Sequence, residues 1–478
     1  MAESLGHKAI KGTIWASVDK FGLMGLQFVV NLVLARLLTP EDFGAVGVLT
    51  IFIVVSQTLI DGGFGSALIQ KKVPTQDHYS TIFWWNLVFA VILYGILFLV
   101  APFIADFFRM EILCSVLRVI GLVLVFNALC VIQNNRLRKQ LAFTKLAVAN
   151  LSSYILGGLV GIFAAFHGWG VWSLVSMQLT YISMQSFILW IITRWRPSMV
   201  FSLQYFKELF GFGGYLLAAG LLQEICKNFQ GIIIGRKFSP AQMGYYSQAQ
   251  KLDTVSSSSL SGIIVQVMFP VYSSIQDNDE RLQAMLVMNL RVISLIVFPL
   301  LGLLILCAEP LICGLYGAKW QPSVSYFQIL CCGGMFVCLQ NINFYAVASK
   351  GKSRSLFLWS FYKWGGLLAL LFIGMNFGMT GLMWAMVISS VNIWIVNALL
   401  AQKHIGLRFA RQIIVLLPVF FTVLFSLGLV EALYLLNYIH NTWFLAGIYM
   451  GVVCCVPLMF HFHSLTELRQ LVGRLLKR

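Results

Sequence analysis

A stripe of polar side chains interrupts the first long apolar segment of the chain, residues 12–38. Lys20, Gln27 and Asn31 recur at helical spacing, so they share one face of the predicted helix, and Asp19 adjoins Lys20. A charge inside an apolar, membrane-length helix costs a few kcal/mol, so it normally faces an aqueous cavity or a partner group. The stripe therefore predicts the lining of a polar cavity.

A second stripe lies in the apolar segment 206–235. Glu224, Lys227 and Asn228 follow helical spacing there, and Lys227 corresponds to Gln27 at an offset of 200 residues. An ordinary i, i+3 ion pair between Glu224 and Lys227 is the structural alternative to cavity lining. Two matching stripes are what a shared aqueous cavity would require.

Six further charges stand in apolar surroundings: Asp61, Arg118, Lys251, Asp253, Arg291 and Lys363. With the two stripes included, in-span bases outnumber in-span acids by six to four, which favours an anionic ligand. Lys251 has structural alternatives in Asp253 and in a lipid headgroup. Arg118 and Arg291 lie nearer the span ends, where snorkelling to the interface explains them.

Asp61 directly precedes the glycine-rich stretch Gly62-Gly63-Phe64-Gly65, which is expected to loosen a helix. Three interpretations stay open at this point. Asp61 is a hinge residue, a proton site, or the cap of a helix that restarts after the glycines.

The rest of the sequence lacks the patterns of an enzyme. No HExxH, GxSxG or phosphate-binding loop occurs, and the seven histidines are scattered. We therefore expect no catalytic residue, no metal site and no cofactor. Hydrophobic residues make up 59% of the chain and charged residues 10%, which indicates an all-helical polytopic membrane protein. The net charge of +16 comes from short basic clusters between apolar segments, so nucleic acid is not a predicted partner.

About fourteen helices have to position these side chains. The predicted spans are 12–38, 42–69, 79–105, 112–135, 143–166, 169–192, 206–235, 241–270, 284–307, 323–348, 354–376, 379–402, 409–433 and 442–463. With this count, 22 basic residues fall on the side of the N-terminus and five on the other. The positive-inside rule then predicts that both termini are cytoplasmic.

One turn between apolar segments occurs twice, at 34–44 and 234–244. Its recurring residues, predicted to lie outside the cytoplasm, are Arg36, Pro40 and Gly44 in the first copy and Arg236, Pro240 and Gly244 in the second. Thr39 and Ser239 stand where a helix N-cap belongs, and an acid or amide follows three residues later, so each turn is expected to restart a helix with a capping box.

The repeated turn predicts an internal duplication. We expect a six-helix lobe over 1–200, a pseudo-twofold-related six-helix lobe over 201–403 and two additional membrane helices over 404–464. The end of the chain, 465–478, reads as a basic amphipathic helix on anionic headgroups of the cytoplasmic surface.

Three stretches resemble bacterial oligosaccharide-lipid flippases. Residues 34–44 resemble the "LARLLxPxDFG" turn, 61–71 are similar to the "DxGxxxxxIQ(R/K)" segment of the colanic-acid exporter branch, and 269–277 match the segment after the eighth span. The resemblance covers nearly the whole chain and weakens over the last two spans. It implies the multidrug/oligosaccharidyl-lipid/polysaccharide flippase superfamily, with two six-helix lobes that alternate access.

The resemblance implies export of an undecaprenyl-pyrophosphate-linked sugar repeat across the inner membrane, for lipopolysaccharide, capsule or exopolysaccharide biosynthesis. The candidate contacts for such a cargo are Lys20, Gln27, Asn31, Lys227, Lys251 and Lys363. Asp61, Glu224 and Asp253 are candidates for ion coupling, with H⁺, Na⁺ or no coupling left open. Polysaccharide assembly proteins are further candidate partners, and a monomer is the default state.

Three alternatives stay open at the level of sequence. A cation-coupled multidrug exporter of the same superfamily would share the helix count, but it predicts an acid-rich cavity. A lipid II flippase would share both the fold and the pyrophosphate cargo. A membrane glycosyltransferase or polysaccharide polymerase needs a long external loop or a catalytic domain, and no connection in the chain is long enough.

Overall fold

The computed structural model describes residues 5–71, 73–436 and 441–460, and every regular element in these ranges is helical. The helices are α1 (Leu5–Leu37), α2 (Pro40–Asp61), α3 (Phe64–Gln70), α4 (Gln76–Phe108), α5 (Ile112–Ile120), α6 (Leu122–Lys139), α7 (Phe143–Phe166), α8 (Val171–Thr193), α9 (Leu203–Lys237), α10 (Pro240–Asp253), α11 (Ser259–Ser274), α12 (Asp279–Leu306), α13 (Ala308–Tyr316), α14 (Ser323–Ser349), α15 (Ser353–Gly374), α16 (Gly378–Ile405), α17 (Phe409–Leu435) and α18 (Thr442–Phe460). A π-helical segment, Thr254–Ser258, joins α10 to α11.

Each of the fourteen predicted spans corresponds to a helix or to a pair of consecutive helices. Ten stretches of the described chain are long and apolar enough to cross a membrane, and the 51-residue stretch Ser355–Ile405 holds both α15 and α16. Large apolar side chains on α4 point outward, with Leu99 72% and Phe103 73% exposed, as lipid-facing residues do. The prediction of an all-helical polytopic membrane protein is confirmed. The predicted amphipathic tail, 465–478, lies outside the described residues.

Both repeated turns contain the predicted capping boxes. The Asp42 backbone N–H donates to the Thr39 hydroxyl, and the Asp42 carboxylate accepts from the Thr39 N–H at 2.9 Å. The second turn repeats this arrangement, because the Gln242 N–H donates to the Ser239 hydroxyl at 3.2 Å and its side-chain oxygen accepts from the Ser239 N–H at 3.1 Å. Each turn therefore satisfies N–H groups at the start of the helix that follows it.

Three predicted spans are divided between two helices, and the span at 112–135 is one of them, since α5 ends at Ile120 and α6 begins at Leu122. The span at 42–69 is not continuous, since Gly62 and Gly63 have φ angles of 56° and 72° and end α2 before α3 begins at Phe64. Glycine takes this left-handed conformation without a Cβ penalty. The span at 241–270 is interrupted by the π-helical segment Thr254–Ser258, which the sequence did not predict. Such segments are frequently found at functional sites.

The chain packs into two compact units, Met1–Gly244 and Tyr245–Arg478. In the first unit α7 and α8 pack through small residues, since a Cβ at Gly157 would lie 2.7 Å from the Met177 carbonyl oxygen. A core cluster around Phe64, Phe83 and Trp195 fills the end of this unit near α3. The predicted six-helix lobes over 1–200 and 201–403 rest on duplication within the sequence. These compact units do not test that duplication, so it stays a prediction.

Candidate functional site

On the stripe of α1, the acid Asp19 is held by hydrogen bonds, whereas the neighbouring base Lys20 is exposed. Asn150 of α7 donates to both carboxylate oxygens of Asp19, at 3.0 and 3.1 Å, and accepts from Gln185 of α8 at 2.6 Å. Asp19 is therefore held by amides of neighbouring helices. Lys20 is exposed and forms no hydrogen bond or ion pair within the described part of the chain. Its positive charge is left for a ligand or for water.

Gln27 and Asn31 continue this stripe toward the end of α1. Gln27 is exposed, and Asn31 is half-buried with a polar partner of its own. That these side chains line a cavity stays a prediction. An exposed cation is followed by an exposed amide, which suits an anion with an attached polar group.

The stripe of α9 shows the same separation of charges. Glu224 accepts from the Asn228 amide at 3.2 Å, and the same amide donates to the Glu224 carbonyl oxygen at 2.8 Å. The ion pair between Glu224 and Lys227 that was considered as an alternative is not formed. Lys227 is exposed and has no hydrogen-bonding or ionic partner among the residues that the structure describes.

In the second unit, Asp253 at the end of α10 is held by the π-helical segment. The Ser257 hydroxyl donates to the Asp253 carboxylate at 2.8 Å and to its carbonyl oxygen at 2.7 Å. Gly334 of α14 allows this approach, because a Cβ there would lie 2.8 Å from the Ser257 Cβ. Lys251, two residues earlier, is exposed. On α10, therefore, Asp253 is held by hydrogen bonds from the π-helical segment, whereas Lys251 is exposed.

Lys363 of α15 is buried, with 7% of its surface exposed. Its ammonium nitrogen lies 5.3 Å from the centroid of the Phe344 ring on α14, a cation–π contact. Lys363 is therefore placed differently from the exposed Lys20 and Lys227. Within the second unit its described role is packing against an aromatic ring.

Arg118 and Arg291 were assigned to snorkelling. Arg118 lies over the Phe98 ring of α4 at 4.4 Å, and its Nε donates to the Phe98 carbonyl oxygen at 3.4 Å. Arg291 is half-buried on α12. The contact of Arg118 with a helix neighbour accounts for its guanidinium without a ligand.

Asp61 lies at the break between α2 and α3. Its carboxylate faces the backbone N–H of Gly65 and the guanidinium of Arg138. A Cβ at Gly65 would lie 3.0 Å from an Asp61 carboxylate oxygen and 2.9 Å from the Asn135 amide nitrogen, so a larger residue would displace these side chains. The N-cap position of α3 is held by Gly63, and the three interpretations of Asp61 stay open.

The two repeated turns pack directly against each other within the first unit. A Cβ at Gly44 would lie 2.0 Å from the Pro240 carbonyl oxygen, and a Cβ at Gly244 would lie 1.9 Å from the Pro40 carbonyl oxygen. The glycine Cα atoms therefore approach these oxygens to within about 3.5 Å, the range of Cα–H···O contacts. The sequence predicted the capping of each turn but not this reciprocal contact. Its signal was the glycine four residues after each proline.

The arginines of the two turns are also at the surface of the first unit. Arg236 is exposed and lies 5.1 Å from the Phe107 ring centroid of α4. Arg36 is exposed and has a partner of its own. The turn thus combines a close backbone contact with two surface cations.

A cluster at the α3 end of the first unit was missed by the sequence reasoning. Lys71 forms an ion pair with Glu208 of α9, and His78 of α4 lies 3.5 Å from the other Glu208 oxygen. Lys139 of α6 donates to the Leu68 carbonyl oxygen at 3.1 Å. Glu208 is 137 residues from Lys71 and Lys139 is 71 residues from Leu68, so only the fold brings these pairs together.

The helical architecture and the two polar stripes define a polytopic membrane protein of the transporter class. The chain belongs to the family described as "Polysaccharide biosynthesis protein", whose model matches residues 33–325. It is 28% identical to the teichuronic acid biosynthesis protein TuaB of Bacillus subtilis (strain 168), over 74% of each chain. It is also 26% identical to the lipopolysaccharide biosynthesis protein WzxC of Escherichia coli (strain K12), over 71% of this chain and 69% of that one.

Solved structures support the same fold. A structure described as lipid II flippase MurJ in an inward closed conformation aligns with a TM-score of 0.76 at 15% identity, covering 96% of this chain and all of the other. An inward-facing MATE family multidrug resistance transporter aligns with a TM-score of 0.63 at 16% identity, covering 80% and 94%. At these identities the likeness establishes the fold of the chain but not the cargo that it moves.

Proposed function

We propose that the chain is a flippase that moves undecaprenyl-pyrophosphate-linked oligosaccharide units from the cytoplasmic to the outer leaflet of the bacterial inner membrane by alternating access. It acts as a transporter and not as an enzyme, with both termini in the cytoplasm. Membership of the polysaccharide biosynthesis family supports the class of cargo. The relative ExoT of Rhizobium meliloti (strain 1021), 26% identical, is described as a succinoglycan biosynthesis transport protein.

The observation that carries the proposal is the pair of uncompensated cations on the stripes of α1 and α9. Lys20 and Lys227 are exposed and unpaired in the described part of the chain, while the acids beside them are engaged by amides. A lysine within a membrane span is costly unless water or an anion compensates it. A pyrophosphate supplies that anion when cargo enters.

The rest of the cargo has chemistry that the same stripes can serve. Hydroxyl groups of a glycan pair with amides, and Gln27 and Asn31 lie on the face of Lys20. The polyprenyl tail is apolar, so it can stay in the bilayer while the polar part crosses. A small cationic drug would instead be repelled by unpaired lysines, which disfavours the multidrug alternative.

Alternating access also requires a closed outer end that can open. In this proposal the reciprocal contact between the turns at Gly44 and Gly244 is part of that closure. At its centre the backbone of each glycine lies against the carbonyl oxygen of the proline in the other turn. Asp61, Glu224 and Asp253 are the candidate sites for an ion that biases the cycle.

The test is flipping of a labelled undecaprenyl-pyrophosphate oligosaccharide in proteoliposomes by wild type and by Lys20→Gln and Lys227→Gln. Loss of a cation that pairs with a bound anion is expected to lower the flipping rate about tenfold or more. Lys403→Gln is the matched control, because this exposed lysine stands outside both stripes and the variant should retain the wild-type rate. Equal rates in all four proteins would refute the role of the stripes.

A further inference from the structure

A pocket of about 430 Å³ lies on the surface of the first unit, at the end of α8. It has aromatic, aliphatic and cationic walls and contains no acidic residue. Its lining consists of Phe187, Trp190, Ile191, Arg194, Trp195 and Arg196. None of these residues belongs to the polar stripes of α1 and α9, so the pocket differs in its residues from the proposed cargo contacts.

Both arginines of the pocket have free guanidinium groups. Arg194 and Arg196 are exposed, and neither side chain forms a hydrogen bond or ion pair with any residue that the structure describes. Two guanidiniums facing one concavity without a counter-charge favour an anion with several oxygens, such as a phosphate.

The backbone of the pocket is held in place before any ligand arrives. Gln76 of α4 donates to the Arg196 carbonyl oxygen at 2.7 Å and accepts from the Trp195 indole N–H at 2.6 Å. Arg194 ends α8 with a φ angle of 49°, a left-handed conformation that glycine usually takes at this position. A preorganised loop loses little conformational freedom on binding.

The remaining walls indicate the rest of the ligand. Phe187 and Ile191 are 61% and 57% exposed on the outer face of α8, one helical turn apart, and lead from the arginines along the helix. Because α8 is a membrane span, this apolar strip faces acyl chains. Trp190, anchored by its indole N–H to the Leu129 carbonyl oxygen at 2.9 Å, stands at the junction of the polar and apolar parts, as interfacial tryptophans do.

We propose that this pocket binds an anionic phospholipid of the cytoplasmic leaflet, with its phosphate between Arg194 and Arg196 and one acyl chain along Phe187 and Ile191. A phospholipid is favoured over free phosphate because the exposed apolar strip gains nothing from a small anion. It is favoured over the polyprenyl diphosphate cargo because none of the residues that line the pocket belongs to the polar stripes. The bound lipid would fix the junction of α8 with the following loop to the membrane surface.

The test is photo-crosslinking of the full chain in nanodiscs with diazirine-labelled phosphatidylglycerol, followed by peptide mapping. Labelling is expected in the peptides that cover 187–196, and it should fall at least about fivefold in the double variant Arg194→Gln/Arg196→Gln. The double variant Arg408→Gln/Arg411→Gln removes the same charge from exposed arginines elsewhere and should label like wild type. If the double variant does not fold, labelling of the same peptides is measured in the single variant Arg196→Gln, where it should also fall.

Four competition experiments separate the sources of phosphate. Unlabelled phosphatidylglycerol should suppress labelling, whereas phosphatidylcholine and inorganic phosphate should not. Equal labelling of wild type and the Arg194→Gln/Arg196→Gln variant, or equal protection by phosphatidylcholine, would refute the proposal. Protection by undecaprenyl diphosphate at concentrations where phosphatidylglycerol has no effect would assign the pocket to cargo, and displacement by inorganic phosphate would assign it to a free anion.

Discussion

Replacing Gly244 by alanine should open the contact between the two repeated turns. The added Cβ would lie 1.9 Å from the Pro40 carbonyl oxygen, and the reciprocal variant Gly44→Ala would place a Cβ 2.0 Å from the Pro240 oxygen. Backbone atoms of the opposite helix cannot rotate away as a flexible side chain can. The two helix ends must therefore move apart.

The size of the effect follows from this overlap. A carbon atom and a carbonyl oxygen in contact are normally about 3.3 Å apart, so the helix ends have to separate by more than about 1 Å. Overpacking of this kind costs about 1–3 kcal/mol. That free energy lowers the population of the closed contact relative to the open one about 5- to 150-fold. The higher helix propensity of alanine acts on both states and leaves their ratio nearly unchanged.

Hydrogen exchange measured by mass spectrometry can follow this shift, since opening exposes amides in the first turns of α2 and α10. Peptides covering 38–48 and 238–248 should exchange about 5- to 150-fold faster in Gly244→Ala than in wild type. Gly95→Ala is the matched control, because no atom lies within 4 Å of the added Cβ. If exchange in Gly244→Ala were as slow as in wild type and in Gly95→Ala, the turn contact would not constrain the outer end.

Two further substitutions test the packing that positions the stripes and the final helix. Asn150→Leu removes both hydrogen bonds to the Asp19 carboxylate and should destabilise the protein by about 1–3 kcal/mol. The measurement is a lower melting temperature in detergent. An unchanged melting temperature would show that water replaces the amide. Gly302→Ala places a Cβ 2.0 Å from the Tyr449 hydroxyl and should destabilise the docking of α18 on α12, whereas Gly428→Ala meets open space and should melt like wild type.

Local chemistry made much of the fold predictable from sequence. Apolar runs of membrane length located the helices, and the capping residues Thr39 and Ser239 gave the start of α2 and α10. These features depend on residues within one helical turn of one another. The interruption at Gly62-Gly63 was visible in composition, since both glycines take positive φ angles.

The features that sequence did not reveal depend on contacts between distant segments. The π-helical segment Thr254–Ser258 contains serines that donate hydrogen bonds to Leu252 and Asp253, and α14 packs against it through Gly334. The hydrogen-bond partner of Asp19, Asn150, lies 131 residues away, so the sequence did not reveal it. The pocket at the end of α8 likewise depends on hydrogen bonds from α4.

The most direct test of the proposed function is which cargo wild type moves across a membrane. Proteoliposomes should flip a labelled undecaprenyl-pyrophosphate oligosaccharide, and flipping should weaken about tenfold or more when a neutral linker replaces the pyrophosphate. The neutral analogue keeps both glycan and lipid tail, so it isolates the anion that Lys20 and Lys227 are proposed to bind. Equal flipping of the two lipids, or efflux of a small cationic dye with no flipping of either, would contradict a flippase for pyrophosphate-linked glycans.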